Sequence, residues 1–362
     1  DTPERPSRSS RKIFGLLGTP ESLRILSWGV LFTFVLVIVF IIKPTLLQRV
    51  DNINYDLLLT SFPKNQASSK IVIVDLDEET LKKYGQWPWP RYRVAELFEK
   101  ITVMKPAVVG LDIIFPEPDR TSAGRLLKDL GDTYRLKIAI DRLPGALNDN
   151  DRILAETLAR GPFVLGNKFL FNKTEMDSEE CVLHPVRVSF IRDTAEPERI
   201  TGLPESTGAL CNLKMISESV DASGFVNFSP DYDGISRHMP LLIQHNKEVY
   251  PSLALATVLK FRKIDNIILK KDGKILQSIH YNGNTVPVDP HGQLRIKFRG
   301  SKGSYEYISA AAIMEGTVSS ARIQERIVFI GTSAYGLKDL LITPFDPVYP
   351  GVEANAAVAD NL

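Results

Sequence analysis

The chain has 362 residues, with 44 Lys and Arg against 43 Asp and Glu, for a formal charge of +1. So even a balance gives no electrostatic reason for nucleic acid as a partner. The 44% apolar content with interspersed charge describes a globular protein.

Residues 1–24 form a stub. Its opening, Asp1 to Ser10, is polar, rich in Pro, Ser and Arg, and expected to be disordered. Ile25 to Ile42 follows, eighteen residues without a charge between Arg24 and Lys43. About 20 apolar residues cross a bilayer core, and Leu, Ile, Val and Phe lie on every side of this helix. A buried core helix more usually carries about 10–14 apolar residues. A cleaved signal peptide ends in small residues, whereas Lys43-Pro44-Thr45-Leu46 comes next. The segment reads as one transmembrane helix. Arg5, Arg8, Arg11, Lys12 and Arg24 precede it, and only Lys43 and Arg49 follow at comparable distance. The expected orientation in the cytoplasmic (inner) membrane is therefore N-terminus inside, with the main domain periplasmic or extracellular.

Residues 43–69 read as a stalk or linker, with Leu46, Leu47, Val50, Ile53, Leu57 and Leu58 at helical spacing. Lys70 to Asp77 is a β-branched apolar run, a buried strand ending in acids. Glu78 to Tyr84 is a short helix stopped by Gly85. Gln86-Trp87-Pro88-Trp89-Pro90-Arg91 cannot be helical, because proline forces each preceding Trp into extended geometry. Tyr92 to Lys105 is an amphipathic helix and Ala107 to Phe115 a second buried strand, giving a βαβ unit. Pro116 to Asn150 reads as loop with one short strand at Leu136 to Ile140. Asp149 or Asn150 caps a helix from Asp151 to Arg160. A strand is expected over Phe163 to Phe171. Residues 172–215 are polar, hold both cysteines and read as an insertion. Strands at Phe225 to Phe228 and Ser236 to His245 precede a helix from Pro251 to Lys263. Hairpin turns fall at Asn246-Lys247, Asp272-Gly273 and Asn282-Gly283. Leu294 to Phe298 alternates, Ile308 to Met314 is helical, and Ile327 to Ile330 is a short buried strand before Gly331-Thr332-Ser333. The chain reads as trimmed at both ends, since it does not begin with Met and Gly351 to Leu362 opens a helix without a stop signal. The expected fold class is α/β, mixed sheets with flanking helices, after one transmembrane helix.

Several clusters carry candidate chemistry. Asp75 and Asp77 close a strand and Asp112 interrupts another; carboxylates at the C-terminal ends of parallel strands sit where α/β sheets bind ligands, although helix capping or loop hydrogen bonding explains these without a metal. Asp231-x-Asp233-Gly234 starts like a calcium loop, but Ile235 and Leu242 stand where acids are required, so a turn is expected. Gly331-Thr332-Ser333-Ala334 and Gly300-Ser301-Lys302-Gly303 match no phosphate-loop pattern. Trp87, Trp89 and Arg91 anchor an interface, stack a ligand or clasp a loop onto the domain. Cys181 and Cys211 are either a disulfide in an oxidising exterior or two buried thiols. The five His have no metal spacing, and no Ser sits in a nucleophile elbow. Neither enzyme activity nor a cofactor or metal is expected of this chain.

Taken in order, several pieces resemble a known family. They are Asn54-Tyr55-Asp56-Leu57, the IVIVDLDEETL strand, Gly85-x-Trp87-Pro88-Trp89-Pro90-Arg91 and Gly110-x-Asp112-Ile113-Ile114-Phe115. Then come Asp231-x-Asp233-Gly234 with Arg237, Pro251-Ser252-Leu253-Ala254 and Phe298-Arg299-Gly300. Ile330-Gly331-Thr332-Ser333-Ala334, Asp339, Thr343-Pro344-Phe345 and Pro350-Gly351-Val352-Glu353 complete the set. From about Asp51 onward the chain resembles the CHASE type 2 domain, the cyclase/histidine-kinase-associated sensory extracellular domain. The resemblance implies that residues 70–362 are a bacterial sensor domain outside the membrane. It implies a cytoplasmic output elsewhere in the receptor, most often a class III adenylate or guanylate cyclase making a cyclic nucleotide such as cAMP, otherwise a kinase. It also implies a homodimer and an extracytoplasmic ligand or protein partner that it does not name. Ligand or interface residues are then expected among Trp87, Trp89, Arg91, Asp112, Asp231, Asp233, Arg237, Thr332 and Ser333. The alternative is a constitutive scaffold, which calls for a large exposed apolar patch where a sensor calls for a concave site.

Overall fold

The computed structural model describes residues 20–42, 45–62, 66–135, 149–172, 181–191, 202–272, 275–334 and 340–362. The chain divides into two compact units, Asp1–Phe62 and Pro63–Leu362. The first unit holds α1 (Pro20–Ile42) and α2 (Thr45–Ser61). Leu23–Ile41, within α1, is the one helical stretch among the described residues long and apolar enough to cross a membrane. Ile25, Trp28 and Phe40 are each at least 70% exposed, so this helix has no protein core around it. Its hydroxyls stay internal: Ser27 Oγ donates to Arg24 O and Thr33 Oγ1 to Gly29 O. That closure of polar groups is what lipid demands.

The second unit is built on a mostly parallel sheet. β1 (Ile71–Asp75) and β2 (Val108–Leu111) are buried at every residue, as strands covered on both faces must be. Between them lie α3 (Glu78–Tyr84) and α4 (Arg91–Val103). Asp77 caps α3, its carboxylate accepting the Thr80 N–H at 2.8 Å, and Gly85 at φ 94° ends it. α4 buries Val94, Leu97, Phe98 and Ile101 on one stripe. α5 (Ala123–Tyr134), α6 (Asn150–Leu158) and β3 (Phe163–Leu170) follow. Next come β4 (Arg187–Ile191), β5 (Gly208–Leu210), α7 (Lys214–Ser217), β6 (Ser223–Phe225), β7 (His238–Pro240), β8 (Leu242–His245), β9 (Glu248–Pro251) and α8 (Leu253–Arg262). The last stretch holds β10 (Asn266–Asp272), β11 (Ile275–Tyr281), β12 (Asn284–Pro287), β13 (Gln293–Arg295), β14 (Glu306–Ser309), α9 (Ala310–Met314), β15 (Ile327–Gly331), β16 (Leu340–Leu341), β17 (Tyr349–Pro350) and α10 (Gly351–Asn361).

Among the described residues the main sheet runs β14-β1-β15-β2-β3, with β5 and β6 both pairing β3. Only β5 is antiparallel in it. Val72, Val74, Val109, Leu111, Val328 and Ile330 share one face with Phe98 of α4, Leu154 of α6 and Ile313 of α9. α8 and α10 pack on each other and cover the other face. There a Cβ on Gly110 would lie 2.7 Å from Thr257 Oγ1, and one on Gly331 would lie 2.7 Å from Val352 Cβ. α10 begins beside Gly331, the last residue of β15. It ends where Tyr305 Oη donates to Asp360 Oδ2 at 3.2 Å. Tyr305 directly precedes Glu306, the partner of Val72 in β1. The last turn of α10 therefore lies at the edge from which the parallel strands start. A second sheet, β12-β11-β10-β4, is joined by a hairpin at Asn282-Gly283, where both φ are positive.

Some expectations shift. β15 pairs with both β1 and β2, so the βαβ unit is split by a strand from late in the chain. β2 stops at Leu111 instead of Phe115, because Asp112 turns towards α10. α5 occupies part of the stretch read as loop; none of its residues is buried, although Leu126, Leu130 and Tyr134 recur at helical spacing. Pro251 closes β9, and Ser252 caps α8 by accepting the Leu255 N–H at 3.3 Å. β6 starts at Ser223 and ends at Phe225, and Ile308 belongs to β14 rather than to a helix. The described part of 172–215 supplies β4 and β5 to the two sheets. The strand expected at 136–140 and Gly273 of one expected turn lie outside the described residues.

Candidate functional site

The edge where β1, β15 and β2 end gathers Asp75, Asp112, Thr332 and Ser333. Asp75 accepts the Ser333 N–H at 2.8 Å and its hydroxyl at 2.6 Å. Burial pushes the Asp75 carboxyl above the ordinary carboxylate range, against the pull of these bonds. Thr332 Oγ1 donates to Leu76 O and accepts the Ala334 N–H. Asp112 accepts from Asn355 Nδ2 of α10 at 3.2 Å. Asp77 serves the cap of α3 and also accepts from Ser309 Oγ at 3.1 Å.

Beside this edge the loop 300–303 wraps an anion belonging to the chain itself. Glu353 is fully buried, and its carboxylate accepts the Gly303 and Ser304 N–H groups and the Tyr307 hydroxyl at 2.8–3.1 Å. Burial raises its carboxyl above the ordinary range despite these donors. The backbone donors that would cradle a ligand phosphate are already taken.

Trp87, Trp89 and Arg91 lie apart from that cluster, in a closed clasp. Trp89 is 2% exposed, donates Nε1–H to Gly85 O at 2.7 Å and meets Tyr84 edge-on. Trp87 is half-buried against the same core, and the Trp87–Pro88 bond is cis. The Arg91 guanidinium lies 4.6 Å over the Phe115 ring and 3.5 Å from Asp151 Oδ1. Asp119, which sequence reasoning did not single out, accepts the Arg91 N–H and Asn150 Nδ2, both on Oδ2. Burial pushes the Asp119 carboxyl up, but its hydrogen bonds outweigh that and hold it low.

Asp231, Asp233 and Arg237 do come together. Asp231 Oδ2 and Asp233 Oδ1 accept from Arg237 Nη1 at 3.0 and 2.9 Å, and Arg237 is 1% exposed. His238 Nδ1 lies 2.9 Å from Asp231 Oδ1. Gly234, at φ 82°, closes the turn by donating to Asp231 O. The Arg237 hydrogen bond holds the Asp233 carboxyl low. For Asp231, burial pushes up, and bonds from His238 and Arg237 outweigh it. The carboxylates face a guanidinium rather than a cation site.

Cys181 and Cys211 form a disulfide, with Cα atoms 5.6 Å apart and both packed beside Phe169, Phe225 and Ile243. It fastens the segment leading to β4 onto β5. That segment walls a cleft of about 600 Å³ lined by His184, Asp221, Ser223, Lys260 and Lys263. His184 Nδ1 lies 3.1 Å from Ser223 Oγ, and burial lowers the His184 pKa, favouring the neutral ring. Lys260 pairs with Asp221. The cleft suits a small polar ligand: a neutral imidazole within hydrogen-bond distance of a hydroxyl and the Lys260–Asp221 ion pair line it. Among the described residues no group of three or more His, Cys, Asp or Glu is placed to hold a metal.

Sequence reasoning missed Ser223 and Lys260, since neither lies in a motif and Lys260 reads as an ordinary exposed helix residue. Glu353 carried a legible signal, an acid in the first turn of an Ala-rich apolar helix. The CHASE2 domain family model matches residues 32–362. No curated protein and no solved structure matches the chain.

Proposed function

Because this chain belongs to the CHASE2 domain family, whose members are sensory extracellular domains, we propose that it is the anchor and sensing half of a transmembrane signalling receptor. In this reading α1 crosses the cytoplasmic membrane with the N-terminus inside, and the α/β unit lies outside it. A class III adenylate or guanylate cyclase is the favoured output, with a kinase next, and the receptor works as a homodimer. The mechanism is a population shift: a ligand that binds one arrangement of the α/β unit better than another biases the segments joined to it.

The observation that carries this reading is the shared edge. The first strand of the α/β unit and the last turn of α10 lie at the same end of the main sheet. A rearrangement at that edge reaches both ends of the unit at once. The scattered exposed apolar side chains of the unit, such as Val103, Phe171 and Ile275, favour a sensor over a scaffold. α5 is the exception, with Leu126, Leu130 and Tyr134 exposed one above another, and it is the natural place for a second protein to dock.

The test has two parts. A reporter fused after Ser69 is expected to be active outside the cytoplasm; activity inside overturns the topology. The intact receptor, with and without residues 66–362, is expected to differ in output under at least one stimulus. Identical output under every stimulus overturns sensing.

A further inference from the structure

The cleft beside His184, at about 600 Å³, falls in the size range of small-molecule sites, about 300–1,000 Å³. Ala256 and Leu259 of α8 are buried and give it an apolar wall. Two of its polar groups answer each other, since Ser223 Oγ accepts the His184 N–H at 3.2 Å and lies 3.1 Å from His184 Nδ1. What remains is charge of both signs. Lys260 pairs with Asp221. Arg187, Lys263 and Asp265 also line the cleft, and all three are exposed. The topology brings them together. Arg187 opens β4 and is the register partner of Asn266 in β10, the residue after Asp265. Neighbouring strands lie about 4.8 Å apart. Lys263, two residues before Asp265, is the left-handed cap of α8 at φ 56°. An acid and two cations therefore fall within the span of one small molecule. Among the described residues no ion pair joins Asp265 to Arg187 or Lys263.

This lining selects by charge pattern. A plain anion would meet Asp221 and Asp265, and a plain cation would meet Arg187, Lys260 and Lys263. An uncharged ligand would strip water from these groups and return no charge-assisted bond. We propose that the cleft binds a zwitterion of the α-amino-acid type, as a free amino acid or a short peptide. Its carboxylate meets Arg187 and Lys263, its ammonium meets Asp265, and its apolar side chain lies against Ala256 and Leu259. A guanidinium can grip a carboxylate through two parallel N–H···O bonds, and such charge-assisted bonds are roughly twice as strong as neutral ones. The wall that carries His184 and Arg187 is tied down just ahead of His184 by the Cys181–Cys211 disulfide, so little ordering is left to be done on binding. That occupancy is the sensed event rests on the receptor reading above; the binding itself does not.

The experiment uses the full chain in phosphatidylcholine nanodiscs at constant ionic strength, titrated with L-leucine and with L-alanyl-L-alanine. At least one probe is expected to bind and raise the melting temperature. Binding of leucine points to free amino acids as the source, and binding of the dipeptide alone points to peptides. Amidating the carboxylate of the bound probe, or acetylating its amine, is expected to weaken binding at least about tenfold. Arg187→Gln and Asp265→Asn, at exposed positions, are expected to weaken it about tenfold each. Asp265→Asn is also expected to erase the preference for the free amine over its acetylated form, which a merely structural role would not do. Arg152→Gln, on α6 and outside the cleft, is expected to change nothing. The proposal is overturned if neither probe binds below about 10 mM, if the amidated and acetylated probes bind as the zwitterion does, or if the Arg187 and Asp265 variants bind as the parent does. Binding without any change in receptor output would leave the site standing and remove only its sensory role.

Discussion

The strand-end edge of the main sheet and the cleft beside α10 both gather charged side chains, and they arrange them differently. At the strand ends each carboxylate meets a donor from its own chain: Asp75 meets Ser333, Asp77 the cap of α3, Asp112 Asn355, and Glu353 the 303–304 backbone. In the cleft beside the last turn of α10, Arg295, Lys297 and Arg299 line one wall together with Asp289 and Asp360, and Arg299 pairs with Asp360. Saturated polar networks rigidify, because breaking one leaves a buried group unpaired. Among the described residues, the carboxylates at the sheet edge that α/β folds most often use for ligands are thus already partnered, and a second set of charges lines the cleft at the opposite end of α10.

This contrast can be broken most severely at Arg237, the buried centre of a third, saturated cluster. Arg237→Gln is expected to cost about 3–5 kcal/mol, because it strands Asp231 and Asp233 without their counter-charge. Urea unfolding measures it, and a loss below about 1 kcal/mol would mean that the cluster behaves like a surface pair. The same site gives a pH signature. Asp231 and Asp233 are held low in the folded state, so their contribution is present above the unfolded value of about 3.9. It is lost as pH falls through their depressed folded values. The acid limb of the stability profile should be shallower in Arg237→Gln than in the parent.

Next in size is the disulfide. Replacing Cys181 and Cys211 together by Ser is expected to cost about 3.5 kcal/mol in the chain-entropy model, and to loosen the wall of the His184 cleft. Proteolysis within 181–191 would report that loosening, and unchanged cleavage would refute it. Gly331→Ala presses a methyl group onto Val352 and is expected to cost about 1–3 kcal/mol by overpacking, read as a lower thermal midpoint. Smallest is Lys297→Gln in the open cleft, expected to change stability by less than about 0.5 kcal/mol. A larger loss would place the cleft with the saturated clusters and erase the contrast.

The sequence made readable the elements that carry a long apolar run or a regular apolar spacing, the exposed helices α1 and α2 among them. β1, α4, β3 and β15 announce themselves through runs or stripes that must leave water. Asp149 and Asn282-Gly283 announce a cap and a hairpin by local chemistry. α5 carries a readable signal, Leu126, Leu130 and Tyr134 at helical spacing, that the reading of this stretch as loop passed over. β14 escaped because Glu306-Tyr307-Ile308-Ser309 is a short edge strand, half-buried and broken by polar groups. For the sites, the turn at Asp231–Gly234 was legible, since its missing calcium ligands excluded the metal. Its union with Arg237 was not a matter of spacing alone, because a buried guanidinium is defined by the walls around it. The row Arg295, Lys297 and Arg299 alternates plainly in sequence, but its hydrogen bonds run to Asp360 and Asn361, more than sixty residues later.

The position of β15 has a consequence for how the protein is made. Ile71 and Val108 each pair with Ile327, so the strand that unites β1 with β2 leaves the ribosome last of the three. Until it arrives, the two earlier strands have no common neighbour and present rows of open N–H and C=O groups to other chains. Closure over so long a sequence separation is intrinsically slow. The facing edges of β1 and β2 can therefore be paired only after residue 327 has been synthesised.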